Sequence, residues 1–235
     1  MLNIKKSANV VPTDEISLGK CPACLGYVSQ VYFMCDQTKR ESKWYGCNCG
    51  VVWQTRKPFG SPRNELLEGQ KLRDVYEYPV HVYAPLIEEL LYGRRVLIVN
   101  APNDFQAKAL RKRGWVTSSD PIETLPPDTK LNMIWFYHTL ETFHDPIAIL
   151  DKARSLLTED GILFIAGPDT DFINIRGSVR FIHWKPDDNY LMWNRRSLTK
   201  QLDSLGFNVV MSRQNCWQRF PATDDLHMIA QVKFF

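Results

Sequence analysis

The sequence predicts a mixed α/β protein. Its main part is a largely parallel sheet covered by helices on both faces, shortened in the middle and closed by an antiparallel strand pair. A small cysteine-bearing ribbon precedes it. Three observations lead there. Short apolar runs alternate with capped amphipathic segments through residues 95–206, the pattern of parallel strands joined by helices. The last segment alternates strictly at Leu226, Met228, Ala230, Val232 and Phe234, as a half-buried strand does. Five of the six cysteines lie between Cys21 and Cys49.

The elements follow in chain order. In VYAPLIEELLYG (Val82 to Gly93), Leu86, Ile87, Leu90 and Leu91 share a face, which predicts a helix with Gly93 as its C-cap. VLIVN (Val96 to Asn100) is a strand buried on both faces. A helix over Asn103 to Gly114 and a strand over Trp115 to Ser119 come next, then a strand over Asn132 to His138. Asp145 caps a helix with Pro146 at its first position. After a turn at Glu159–Gly161, GILFIAGP forms a further strand. Asn194 to Gly206 is a capped helix, and FNVVM and LHMIAQVKFF close the chain. The segment Lys57 to Glu65, rich in Pro, Gly and charge, reads as a linker. The division is therefore 1–58 ribbon, 59–93 linker and helix, and 94–235 the α/β part.

Composition sets outer bounds. The chain has 235 residues, 44% of them hydrophobic and 23% charged, which suits one or two globular domains and excludes a largely disordered chain. A net charge of +3 is too small to imply nucleic-acid binding by itself. No apolar run has signal-peptide or membrane-span length, so the expectation is a cytoplasmic protein with no membrane association.

Cys21-Pro-Ala-Cys24 and Cys47-Asn-Cys49-Gly50 are two close cysteine pairs separated by an insert of hairpin length. That spacing gives a closed tetrahedral zinc site, which stabilises and does not catalyse. Free, partly buried thiols are the other reading. Cys35, inside an apolar strand, and Cys216, alone in a loop, are left out of the ligand set, although Cys35 could replace one member of the second pair. Lys39, Arg40, Lys43, Arg56 and Lys57 interleave with Tyr32, Phe33, Trp44, Tyr45 and Trp53. Such a mixture can bind nucleic acid, or it can be the core and solvated face of a small domain. Core packing is the preferred reading.

One stretch carries a resemblance. His138-Thr139-Leu140-Glu141, Asp145-Pro146, Leu157-Thr158-Glu159-Asp160-Gly161 and Pro168, with Ser197-Leu198 and Gly206-Phe207 further on, resemble the second half of class I S-adenosylmethionine-dependent methyltransferases. Several members of that family carry an N-terminal zinc ribbon. The resemblance implies a cofactor over the carboxyl end of Val96–Asn100. Asn100, Pro102 and Asp104 stand where the family has glycines, Asp120 stands at the ribose-binding position, and Phe136 lies nearby. It places Tyr137, His138 and His144 near the reacting methyl group. A histidine there could act as general base, since its intrinsic pKa is near neutral. His183 and Trp184 fall in a later loop that could form a substrate lid.

The chain departs from the family pattern in two places. The cofactor loop holds no glycine, and Asp104 is expected to cap the next helix rather than bind cofactor. Only PIETLPPDTKL separates Asp120 from the next strand, too little for a helix, a strand and another helix. Two function classes therefore stand side by side. One is a working methyltransferase of unknown substrate. The other is a non-catalytic relative that serves as a scaffold for a protein or nucleic-acid partner.

Overall fold

The computed structural model describes residues 20–35, 41–54, 69–176, 183, 188–214 and 225–233. The Lys57–Glu65 linker, Trp184 and Cys216 lie outside them.

Two sheets are built. The smaller joins β1 (Val28–Cys35), β2 (Glu41–Cys47), β3 (Val52–Gln54) and β8 (Leu191–Met192), antiparallel throughout. The larger has the order β5-β4-β6-β7-β10-β9, from β4 (Arg95–Ile98), β5 (Val116–Ser118), β6 (Leu131–Tyr137), β7 (Leu157–Pro168), β9 (Phe207–Gln214) and β10 (Asp225–Val232). β5, β4, β6 and β7 run parallel, while β10 is antiparallel to both β7 and β9. The chain passes from β5 to β6 through a single 3-10 turn at Ile122–Thr124, with no strand between. This leaves β5 as an edge of the sheet among the described residues.

Strand parity sends alternate residues into two cores. Val96, Ile98, Met133, Trp135, Ile162 and Phe164 pack under helices α1 (Gly69–Glu88) and α2 (Phe105–Lys112). Leu97, Val99, Ile134, Phe136, Leu163 and Ile165 pack under α3 (Pro146–Leu156) and α5 (Arg195–Ser204). The second core also contains Cys21, Tyr45, Val51 and Trp53 of the ribbon. A short helix, α4 (Asp171–Arg176), follows β7.

Local chemistry explains the helix ends. Asp145 accepts a hydrogen bond from the Ala148 amide, with Pro146 in the first turn of α3. Asn194 caps α5 by accepting from the Ser197 amide (2.8 Å), and Ser197 Oγ in turn accepts from the Asn194 amide (3.1 Å). Glu88, at the end of α1, accepts two bonds from Arg113 (2.8 and 2.6 Å) and one from the Trp115 indole (2.9 Å). That ties α1 to the turn before β5.

Three local expectations change. α1 begins at Gly69 and ends at Glu88, so it runs through much of the stretch expected before Val82. Its buried stripe is Tyr76, Val80, Tyr83, Ala84 and Ile87, whereas Leu86 and Leu90 are exposed. Gly93 is not its cap: it lies where any β-carbon would collide with the Asn132 amide, whose oxygen accepts from the Arg95 amide. No turn interrupts residues 159–161, because β7 runs on from Leu157 and an irregularity in its register with β6 absorbs the extra length. The aromatic residues Trp44, Tyr45 and Trp53 are interior, so the core reading of the ribbon aromatics holds for them.

The ribbon is joined to the large domain at Gly50. Its φ is +98°, and a β-carbon there would strike the Asn194 side chain. Thr170 donates to the Gly50 carbonyl, and Asn194 Nδ2 donates to Asp171 Oδ1 (2.8 Å). Gly50→Ala should therefore strain the loop and displace the α5 cap, at a combined cost of about 2 kcal/mol. A double-mutant cycle with Asn194→Ser, read by chemical denaturation, should show strong coupling. Additive losses would contradict the contact.

Candidate functional site at the carboxyl edge of the sheet

In an open α/β sheet, ligands bind beyond the carboxyl ends of the parallel strands. Four segments meet at this edge. Asn100 follows β4, Asp120 follows β5, His138 follows β6, and Asp169 follows Pro168 at the end of β7. β10 runs antiparallel to β7 and pairs Asp225 with Pro168, so its first residue stands at the same edge.

Asn100 and His138 both take left-handed backbone, with φ +47° and +52°. Asn and His enter that region more readily than other non-glycine residues. The His138 amide is held by the Ala166 carbonyl (2.7 Å), which turns the side chain off the strand end. Its Nε2 lies 3.2 Å from Asp225 Oδ2, and its Nδ1 lies 3.5 Å from Glu141 Oε1. His183 Nε2 lies 2.9 Å from Asp225 Oδ1. Asp225, Glu141 and His183 are buried, while the His138 side chain is 21% exposed.

The electrostatics follow from that burial. Burial alone would lower the His138 pKa, but the Asp225 and Glu141 carboxylates outweigh it and raise the value to about 9. Burial opposes ionisation of Asp225 as well, yet His138 and His183 hold it well below the usual carboxylate range. Asp169 is pushed up to about 6 by burial, although the Asp171 amide and Gln214 donate to it. His227, two residues beyond Asp225, is lowered by burial to about 4, and its Nδ1 lies 2.8 Å from the Tyr83 hydroxyl.

The remaining expected residues are placed as follows. Pro102 is exposed in the loop after Asn100. Asp104 occupies the N-cap position of α2 but makes no capping bond, and pairs instead with Lys108 at 2.7 Å. Asp120 is exposed at the end of β5, accepting from Ser118 Oγ at 2.6 Å. Phe136 is fully buried on the α3 face, so strand parity turns it into the core. Tyr137 is buried too, and its hydroxyl donates to the Val75 carbonyl at 3.3 Å, on α1. His144 is exposed and packs against Tyr190, with ring centroids 4.6 Å apart. The structure thus gathers His138 with His183, Glu141 and Asp225, sets its ring edge-to-face against the Tyr137 ring with centroids 4.8 Å apart, and leaves Phe136 in the core. Sequence reasoning missed Asp225 and gave Glu141 no role. The second had a signal, its place in His-x-Leu-Glu. The first depends on strand register and had none.

Cys21, Cys24, Cys47 and Cys49 also converge. Sγ of Cys21 lies 3.7 Å from that of Cys49, Sγ of Cys24 lies 3.4 Å from that of Cys47, and all four sulfurs fall within 4.8 Å of one another. A tetrahedral ion with bonds of about 2.3 Å needs sulfurs about 3.8 Å apart. The Gly26 amide points at Cys24 Sγ (3.4 Å) and the Cys49 amide at Cys47 Sγ (3.5 Å), as expected in thiolate knuckles. The donor set fits zinc.

Residues 73–212, well over half of the chain, match the family described as methyltransferase domain. The chain belongs to that family. Its main sheet is mostly parallel and Rossmann-like, as in methyltransferase folds, with no strand outside β5 among the described residues. No curated protein matches it in sequence. Among solved structures it is similar to a chain of the Haloferax volcanii complex between the Trm112 methyltransferase activator and a methyltransferase. That likeness has a TM-score of 0.50 and 12% identity, covering 74% of this chain and 99% of that one. It is also similar to 1,6-didemethyltoxoflavin-N1-methyltransferase of Burkholderia thailandensis, solved with 1,6-didemethyltoxoflavin and S-adenosylhomocysteine (TM-score 0.47, 14% identity, 81% and 99% covered). A third is an S-adenosylmethionine-dependent methyltransferase from Archaeoglobus fulgidus (TM-score 0.46, 15% identity, 68% and 94% covered). At these identities the likeness concerns the fold alone.

A buried side chain of the ribbon links it to the candidate site. Gln54, at the end of β3, donates to the Asn189 carbonyl (2.5 Å), and Asn189 Nδ2 donates to the His183 carbonyl (3.0 Å). Gln54→Ala should strand the Asn189 carbonyl and cost about 1–3 kcal/mol. The His183 imidazole resonances should shift in the same variant. A stability loss that leaves those resonances unmoved would separate the ribbon from the cluster.

Proposed function

We propose that the chain is an S-adenosylmethionine-dependent methyltransferase whose ribbon holds a structural zinc ion at Cys21, Cys24, Cys47 and Cys49. In this reading residues 1–58 form the ribbon module, 59–93 lead into the sheet, and 94–235 carry the methyltransferase-like part. The observation that carries it is the backbone of Asn100. This residue stands where the family has glycine, and it adopts the left-handed conformation for which glycine is used. Close approach of a ligand to the loop is thereby kept at a position that has gained a side chain.

When bound, the cofactor supplies a methyl group carried on a sulfonium. The groups assigned to hold it are the Asn100–Pro102 backbone and Asp120 at the ribose position, with Asp104 marginal because Lys108 engages it. Phe136 is assigned to the core behind the site. His138 is the residue assigned to the substrate side. Both of its nitrogens face carboxylates, so it suits orienting or binding a substrate group better than accepting a proton as an unpaired base. His144, exposed on Tyr190, is left for substrate contact, and Tyr137 is assigned to anchoring α1. Exposed Leu25, Tyr27 and Phe33 mark where the ribbon would meet a partner. With Trp44, Tyr45 and Trp53 interior, that surface favours a protein over stacked nucleic-acid bases. No helix among the described residues is long and apolar enough to cross a membrane.

Two measurements test this. Cys47→Ser should lower bound zinc by about one equivalent per chain, the content of one tetrahedral site. Unchanged metal content would refute the cysteine site. Calorimetric titration with S-adenosylmethionine should show saturable binding of about 0.1 mM or weaker, or roughly −5.5 kcal/mol, because Pro102 stiffens a loop without glycine. Ala101→Trp should abolish it without unfolding the sheet. No binding at millimolar cofactor would favour the non-catalytic scaffold.

A further inference from the structure

The cofactor assignment uses Asn100 and Asp120 and leaves the buried cluster beyond β6 and β7 with no ligand of its own. Asp225, 1% exposed, presents one oxygen to each of two imidazoles, at 3.2 Å to His138 Nε2 and 2.9 Å to His183 Nε2. One donor atom from each of the three residues falls within 4.8 Å of the others. First-row divalent ions bind imidazole nitrogen and carboxylate oxygen at about 2.0–2.2 Å, which sets neighbouring donors about 3.0 Å apart in octahedral and about 3.4 Å in tetrahedral geometry. Each imidazole therefore meets an Asp225 oxygen at coordination spacing, His138 at Oδ2 and His183 at Oδ1, so one ion between them would take the carboxylate through both oxygens or draw the two imidazoles onto one.

The surroundings fit as well. The second nitrogen of His138 faces Glu141 at 3.5 Å, the outer-shell carboxylate that metal-bound histidines commonly have. His183 is anchored through its carbonyl by Asn189, which Gln54 holds in turn. The two imidazole planes lie within 21° of each other, 5.7 Å between centroids, with both Nε2 atoms directed at one carboxylate. His183 and Asp225 are buried, so the open side of the cluster is at the partly exposed His138, on the ligand-binding edge of the sheet.

We propose that His138, His183 and Asp225 form a second metal site, separate from the cysteines. The site takes a first-row transition-type divalent cation and leaves coordination positions open on the His138 side. Two imidazoles with one carboxylate select zinc, cobalt, iron or nickel over magnesium and calcium, which prefer all-oxygen shells. Three protein ligands are also the number found where a fourth position is kept for water or substrate. A substrate oxygen or nitrogen donor is the ligand class that completes the shell. Only this substrate role rests on the methyltransferase reading.

The test uses the full chain with its cysteine site loaded with zinc, titrated with Co²⁺. One further equivalent should bind and give weak visible d–d bands. It should lack the near-ultraviolet thiolate-to-cobalt charge transfer that would report exchange into the cysteines. His183→Gln and His138→Gln should each weaken this equivalent at least tenfold and leave zinc content unchanged. In the wild type, paramagnetic broadening should fall on the His138 and His183 imidazole signals, which decides the matter even if a variant fails to fold. No cobalt bound beyond the zinc sites at 1 mM, or broadening confined to other residues, would overturn the proposal and leave a metal-free imidazole–carboxylate pair. S-adenosylhomocysteine titrated into the same samples separates the two readings. Cobalt binding without cofactor binding would remove the methyltransferase assignment alone, and cofactor binding without cobalt would remove the metal site alone.

Discussion

Two residue pairs, Val52 with Met192 and Trp53 with Leu191, join the ribbon sheet to the chain that leads into α5. Most of what is distinctive here hangs from that junction. Next to it, the Gln54 amide donates to the Tyr190 carbonyl, and the Tyr190 amide donates to the Glu141 carbonyl. The ribbon, the segment before β8 and the His138–Glu141 turn are thus successive links of one hydrogen-bonded chain. Cys21, Val51 and Trp53 complete the same apolar cluster as Leu163, Leu198 and Phe207. A ribbon of this size buries too little surface to be stable without staples. Here the methyltransferase sheet supplies one on one side, and an ion held by the four cysteines would supply another.

Much of this architecture was legible in the sequence where the determinants are local. Asp145-Pro146 and Asn194 act at helix ends through neighbouring amides, so a few residues suffice to place them. The missing strand was visible because PIETLPPDTKL is too short for a helix, a strand and another helix, and its prolines favour a direct crossover. Strand parity was less accessible. Phe136 and Tyr137 lie at the end of an apolar run buried on both faces, and nothing in the run says which side faces a ligand. Both side chains turned out to be interior. The fourth strand of the ribbon sheet is two residues long and comes from well over a hundred positions downstream, beyond any local pattern. Asp225 is hidden for the same reason: its partners are decided by the register of β10 on β7.

The departures from the family pattern have a common physical sense. Asn100 and His138 both bend into left-handed backbone at the ends of adjacent strands. A side chain at each position lies near the edge where the family keeps one of them bare. The loss of glycine costs conformational freedom and adds a polar group, while the path of the backbone is retained. Next to that edge, a carboxylate with almost no solvent exposure holds two imidazoles. Burying so much charge is expensive unless the pairing is close, and the observed distances meet that condition.

Ribbon and sheet are expected to fold as one body, with the histidine–carboxylate cluster as part of the seam. Scanning calorimetry of the zinc-loaded chain, followed in parallel by hydrogen exchange at β2, β6 and β10, tests it most directly. One cooperative transition is expected, with β2 and the large sheet losing protection together. A separate low-temperature transition confined to the ribbon, with β10 and the His183 environment intact above it, would contradict the account.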